Sequence, residues 1–234
     1  MQPIQMVDLQ SQYKQLKTEL DARVIKCIES GAFIQGPEVK SFEADLSAYL
    51  DGAHVIACAN GTDALQIALM ALNLEHGDEV IVPSFTFVAS VEVIALLGLK
   101  PIVVDVDPRT FLMKTEDIEA SLSPRTKAII PVHLFGQCVN MKTLMAIAKS
   151  RDLYVIEDNA QSIGARCNTS DDTKQMSGTI GHIGCTSFYP SKNLGCYGDG
   201  GAMFSRDEHL AHKIKMLANH GMDRRYYHDE IPPP

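Results

Sequence analysis

SFYPSKNLGCYGDGG, residues 187–201, places a single cation, Lys192, among aromatic residues and glycines. The runs on either side, CTSF (185–188) and GAMF (201–204), read as strands: short, apolar or β-branched, and bounded by turn formers. Pro190 fixes the backbone ahead of the lysine, and the glycines let backbone approach a ligand closely. A lysine desolvated at such a strand end loses proton affinity and becomes a nucleophile toward an aldehyde. A solvated turn lysine is the plain alternative, and the stretch alone leaves both open.

Working outward, short apolar runs recur at VIAC (55–58), EVIV (79–82), IVVD (102–105), AIIPV (128–132) and YVIE (154–157). Their near-continuous apolarity is that of strands covered on both faces. Helical patterns lie between and around them. EVKSFEADLSAYL (38–50) puts Val39, Phe42, Leu46 and Tyr49 on one face, and DALQIALMAL (63–72) and MKTLMAIAKSR (141–151) follow. DEHLAHKIKMLANHG (207–221) closes with Gly221 in the place of a C-cap. NTSDDTKQMSGTIGH (168–182) is polar and turn-rich, and predicts a surface loop. Alternating strands and helices predict an α/β fold: a mainly parallel, seven-stranded sheet with helices on both faces, preceded by an N-terminal helical segment. No internal repeat interrupts it, and the terminal prolines of DEIPPP predict polyproline II.

The bulk numbers exclude some partners. A net charge of −8 argues against nucleic acid or an anionic membrane as a general partner, though not against a small anionic ligand held locally. There is no signal-like N-terminus and no run of about 18 apolar residues, so a cytoplasmic protein is expected. The six cysteines form no C-x-x-C pair, so neither a disulfide nor a zinc site is expected, only buried thiols. No metal site of any kind is expected.

Three further stretches lie at strand ends, the edge where open α/β sheets bind ligands. In CANGTDALQIAL (58–69), Gly61 and Thr62 open a helix whose free N–H groups and dipole suit a phosphate; Thr62 as a plain N-cap is the alternative. The glycine pattern of dinucleotide binders is absent there. In VPSFTFVAS (82–90), Phe85 and Phe87 point the same way on an extended backbone, so that one of them can stack on a ring; two core phenylalanines are the alternative. In VIEDNAQSIGA (155–165), Glu157 and Asp158 follow an apolar strand, where a carboxylate facing a heterocyclic nitrogen would keep it protonated. An N-cap role for Asp158 stays open. A phosphate cradle, a ring to stack, a carboxylate and a lysine are together the handles of pyridoxal 5'-phosphate.

These stretches, with MVDLQSQY (6–13), SGAFIQGPEVKSFE (30–43) and ANHGMDRRYYH (218–228), resemble the DegT/DnrJ/EryC1/StrS nucleotide-sugar aminotransferases over nearly the whole chain. The similarity is greatest to enzymes that aminate a 3-keto UDP-sugar acid. The resemblance implies the fold type I, aspartate aminotransferase-like large domain across residues 1–234. It implies Lys192 as the catalytic residue that holds pyridoxal phosphate and moves the proton. It also implies Asp158 as partner of the pyridine nitrogen, Gln161 beside the ring oxygen, Phe87 as stacking ring, and Gly61, Thr62 and Ser187 as phosphate cradle. Tyr226, Tyr227 and His228 are expected at the substrate. The implied reaction moves an amino group from glutamate to a UDP- or dTDP-linked keto sugar in cell-surface polysaccharide or lipopolysaccharide biosynthesis. The family's lysine, present here, favours transamination over the dehydration of histidine-bearing members. Homodimers with shared active sites are expected, as is the absence of the family's small C-terminal domain and cross-subunit asparagine. Two other readings stay open: an inactive cofactor-binding relic or partner of a full-length homologue, and an unrelated α/β nucleotide-binding protein with Lys192 a bystander.

Overall fold

From the amino terminus the chain forms α1 (Leu9–Ser30), α2 (Pro37–Tyr49), β1 (His54–Cys58), α3 (Gly61–Ala71), β2 (Glu79–Pro83), α4 (Ala89–Leu96), β3 (Lys100–Val104) and β4 (Thr126–Ile129). It continues through α5 (Met141–Arg151), β5 (Tyr154–Asp158), β6 (Arg166–Asn168), β7 (Lys174–Met176), β8 (Ile183–Ser187), β9 (Gly201–Ser205), α6 (Glu208–Leu217), β10 (Met222–Arg224) and β11 (Tyr227–His228). The structure, a computed structural model, describes residues 4–169, 173–224 and 227–228. The polyproline expectation for the terminal residues lies outside them.

Seven strands pair in the order β1-β9-β8-β5-β4-β2-β3. Strand β9 runs antiparallel to both neighbours, and the remaining pairs are parallel. The mainly parallel sheet of the sequence reading is therefore present. Strand alternation sorts the core onto two faces. Val80, Val82 and Ile156 join one cluster with Leu65, Leu69, Val93 and Ile214 of α3, α4 and α6. Ile81, Ile129 and Val155 join another with Met141, Leu144 and Ala148 of α5. Continuous apolarity means two-sided burial in β2, all of whose residues are buried, but not in β1 and β3. Those are the sheet's edges, where outward positions meet solvent.

Four expectations need correction. The predicted face of α2 is covered only at its centre: Leu46 is buried, while Phe42 and Tyr49 remain exposed. Helix α6 ends at Leu217 with Ala218 as C-cap, and Gly221 comes after a further turn at φ +74°, its N–H donating to Met216 O at 2.8 Å. The polar segment 168–182 is not simply a surface loop. Part of it builds the β6–β7 hairpin, and Ser177 and Thr179 are buried because the turn that carries them wraps a buried carboxylate. Finally, Cys138 and Cys167 form a disulfide, linking the β6 hairpin to the segment after β4. The two are 29 residues apart in sequence, and only tertiary packing brings them together. Cys27, Cys58, Cys185 and Cys196 are free thiols. Among the described residues no helix is long and apolar enough to cross a membrane.

Candidate functional site

The carboxyl ends of β5 and β8, the start of α3 and the start of α4 enclose a cavity of about 680 Å³. Gly61, Thr62, Phe87, Asp158, Ser187 and Lys192 all line it, so six of the residues singled out in sequence meet in one place.

Its first wall is the N-terminus of α3. Asn60, not Thr62, is the N-cap, its side chain accepting from Asp63 N–H at 2.8 Å. The N–H groups of Gly61 and Thr62 precede the first intrahelical bonds and face outward at the positive end of the helix. Gly61 has to be glycine: a Cβ there would stand 2.7 Å from Ser187 Cβ, so the absent side chain is what lets β8 and α3 converge. Ser187 Oγ accepts from Tyr189 N–H at 3.2 Å, which leaves its own proton to donate. Two backbone donors, two hydroxyls and a helix dipole converge, a donor set that suits a phosphate dianion.

The second wall is Asp158. Alternation along β5 sends Glu157 to the α5 face and Asp158 to the α3/α4 face, which divides the two carboxylates between different tasks. Glu157, fully buried, accepts from Gly178 N–H at 2.8 Å, Ile180 N–H at 2.7 Å and Gly181 N–H at 2.5 Å, and pairs with His133 Nε2 at 2.7 Å. His133 Nδ1 accepts from Val139 N–H at 3.2 Å, so Nε2 carries the ring proton that Glu157 receives. Burial opposes ionisation of Glu157, but the His133 bond and the backbone donors outweigh it and hold its carboxyl below the usual range. Glu157 is an internal anchor. Asp158 is the reverse case: burial pushes its carboxyl up from the ordinary value. Bonds from Ser90 Oγ at 2.8 Å and Ala160 N–H at 3.2 Å, with the charge of Lys192, oppose that rise without cancelling it. A cation delivered into the cavity would complete its pairing.

Lys192 sits half-buried in the turn after β8. The glycines around it suggested close approach to a ligand, but the loop is stitched down on the protein itself. Phe188 donates to Gly200 O and accepts from Cys196 N–H, each at 2.7 Å, and Asn193 Nδ2 donates to Ile163 O at 2.8 Å. Gly195 serves this packing rather than a ligand's approach, since a Cβ there would lie 2.6 Å from Pro190 O. Lys192 N–H donates to Tyr189 O at 2.8 Å, which fixes where its side chain starts.

Phe85 and Phe87 do not point the same way. The backbone leaves strand geometry after Pro83, so Phe85 packs on Phe111 with ring centroids 5.1 Å apart while Phe87 lines the cavity. Gln161 lies aside, its Oε1 accepting from Phe135 N–H at 3.1 Å. Tyr226 falls outside the described residues, and Tyr227 and His228 are placed only by backbone, in β11 beside β10. Two residues that sequence reasoning passed over touch the site: Ser90 bonds to Asp158, and Cys185 lines the cavity with a thiol that burial raises well above its ordinary value.

Comparison with known proteins identifies relatives of this chain. The chain is 48% identical over 228 residues to the UDP-2-acetamido-2-deoxy-3-oxo-D-glucuronate aminotransferase of Pseudomonas aeruginosa, covering 97% of this chain and 62% of that protein. It thus spans less than two thirds of that relative. The structure of a DegT DnrJ EryC1 StrS aminotransferase from Brucella abortus superimposes with a TM-score of 0.92 at 45% identity, covering 98% of this chain and 62% of the other. That of NtdA from Bacillus subtilis, with bound cofactor PMP, gives 0.80 at 36% identity over 93% of this chain and 47% of that one. Residues 14–232 match the model of the DegT/DnrJ/EryC1/StrS aminotransferase family, and the chain belongs to that family.

Proposed function

We propose that this chain is the cofactor-binding large domain of a pyridoxal-phosphate-dependent aminotransferase acting on a keto group of a UDP- or dTDP-linked sugar, a 3-keto UDP-sugar acid above all. The observation that carries it is the meeting of Lys192 and Asp158 in one cavity whose other end is a helix N-terminus. The residues fit the group: Gly61 lets β8 close on α3, so that Ser187 stands beside the helix N-terminus, and Asp158 is a buried carboxylate raised by its burial. When bound, the cofactor supplies an electron sink for the substrate carbon. The chain's own residues do the rest. Gly61 and Thr62 N–H with Ser187 Oγ hold the phosphate, Phe87 flanks the ring, and Asp158 keeps the ring nitrogen protonated. Lys192 Nζ would hold the aldehyde carbon of the group, its oxygen leaving as water, and would serve as the acid–base group for the substrate proton. Glutamate is the proposed donor, and a homodimer in the cytoplasm the working form. The aminotransferase named for the P. aeruginosa relative and the PMP carried by NtdA support this reading.

The test is an absorption spectrum of purified chain with pyridoxal phosphate, then borohydride reduction and peptide mass mapping. A visible band trapped as an adduct on Lys192 is expected, and addition of glutamate should discharge the band. No band and no adduct would sink the proposal; an adduct on another lysine would sink the assignment of Lys192.

A further inference from the structure

Ser90 lies in the first turn of α4 with no exposed surface and no other polar side chain buried in that helix. Its Oγ donates to Asp158 Oδ2 at 2.8 Å, and its N–H donates to Phe87 O at 3.2 Å. Its Oγ also stands 2.8 Å from Thr86 Oγ1. An ionised Asp158 can only accept, and Ser90 has one hydroxyl proton, so that proton goes to the carboxylate and Thr86 is the donor to Ser90. The chain of protons runs one way, Thr86 to Ser90 to Asp158. One residue therefore ties the carboxylate wall to the backbone of the ring wall.

We propose that Ser90 is the positioning residue that holds Asp158 and Phe87 in register for a flat, cationic heterocycle, with Thr86 orienting its hydroxyl. This rests on the cofactor reading above and deepens it. A hydroxyl bonded to a carboxylate favours the ionised form, and that form is the one that keeps a pyridine nitrogen protonated. The other groups acting on Asp158 are fixed by the fold: Lys192 on the cavity side, His133 from the segment after β4, the Cys185 thiol on β8, and Glu157 turned to the opposite face. Among the side chains around Asp158, Ser90 is the neutral donor that can be removed without altering charge.

The experiment titrates pyridoxal phosphate into the parent, Ser90→Ala, Ser90→Thr, Thr86→Val and Asp158→Asn across acid to neutral pH, following absorbance, with far-UV circular dichroism as a check on folding. Ser90→Ala should weaken affinity roughly 10- to 150-fold, the weight of one hydrogen bond to a charged group. Its acid limb should also move to higher pH, because without the hydroxyl donor Asp158 takes up a proton sooner. Ser90→Thr should restore both, and Thr86→Val should shift the limb the same way by less. If Ser90→Ala binds like the parent while Asp158→Asn does not, the proposal falls and the cofactor reading stands. Weaker binding with an unmoved acid limb and no rescue by Ser90→Thr means Ser90 is only structural, and the proposal falls. Should Ser90→Ala fail to fold, Thr86→Val decides: an unmoved limb overturns the proposal. No saturable binding by the parent removes both.

Discussion

Glu157→Gln is the substitution whose consequence can be worked most closely from the structure. Oε1 of Glu157 takes two backbone donors, Ile180 and Gly181, and Oε2 takes Gly178 N–H and His133 Nε2. Glutamine matches the shape but keeps a single acceptor oxygen. Either orientation of its amide sets an NH₂ group against two donors, and with no exposed surface water cannot step in. Each buried donor left unpaired costs about 1–3 kcal/mol, and removing one member of a buried charged cluster costs about 3–5 kcal/mol. The loss should therefore be about 3–5 kcal/mol, a large share of a typical stability of about 5–15 kcal/mol. For a chain of this size it should lower Tm by roughly 8–15 °C. Equilibrium urea unfolding followed by circular dichroism, at neutral pH and with no cofactor added, measures it directly. A loss under about 1 kcal/mol would refute the idea that Glu157 is the ionised anchor of the 178–181 turn.

Two further expectations follow from close contacts and charge. Gly61→Ala brings a Cβ to 2.7 Å from Ser187 Cβ, whereas nothing lies within 4 Å of a Cβ at Gly198. Gly61→Ala should thus destabilise the chain by about 1–3 kcal/mol and weaken pyridoxal phosphate binding, with Gly198→Ala silent in both; equal melting curves for the two would contradict this. Glu79 is held at about 2 by the Ser123 hydroxyl, Lys100 and Arg125, against an ordinary value of 4.5. A carboxyl depressed in the fold contributes stability above its unfolded value, lost as pH falls from about 4.5 toward 2. Urea midpoints through that window should drop less steeply in Glu79→Gln, and identical slopes would show that Glu79 is not a source of the acid limb.

Much of this was legible because it is local. The strand runs around 79–82 and 154–157, the α5 segment 141–151 and the helix start at Gly61 all announce themselves in neighbouring residues. Even the meeting of Lys192 and Asp158 in one cavity follows once each is placed at a strand's carboxyl end. What could not be read depends on partners far away in sequence. The Cys138–Cys167 disulfide needs the β6 hairpin to fold back beside the segment after β4. The burial of Ser177 and Thr179 in a polar stretch needs Glu157 as the hub that their turn surrounds. The divergence of Phe85 and Phe87 fails for another reason: a two-residue period applies only while the backbone stays extended, and here it ends at Pro83. Ser90 was invisible because a serine one turn into a helix has many ordinary uses, and only its contact with Asp158, 68 residues away, distinguishes this one.

Adjacent carboxylates on β5 show how a fold separates stability from binding. Glu157 and Asp158 are adjacent in the chain and both buried, yet their proton affinities move in opposite directions. The difference lies in who satisfies them. Four donors from the α5 side of the sheet saturate Glu157, so its charge is settled within the fold. Asp158 receives two hydrogen bonds from the protein, from Ser90 and Ala160, and keeps acceptor capacity toward the cavity. A buried group left short of partners is a cost to the fold on its own, and strongly perturbed groups of this kind collect where a ligand completes them. The same alternation along β5 that places Glu157 where it stiffens the sheet places Asp158 where the fold tolerates an incomplete carboxylate. The cavity that Asp158 shares with Phe87, Lys192 and the N-terminus of α3 is where a cationic ligand would supply the missing interaction.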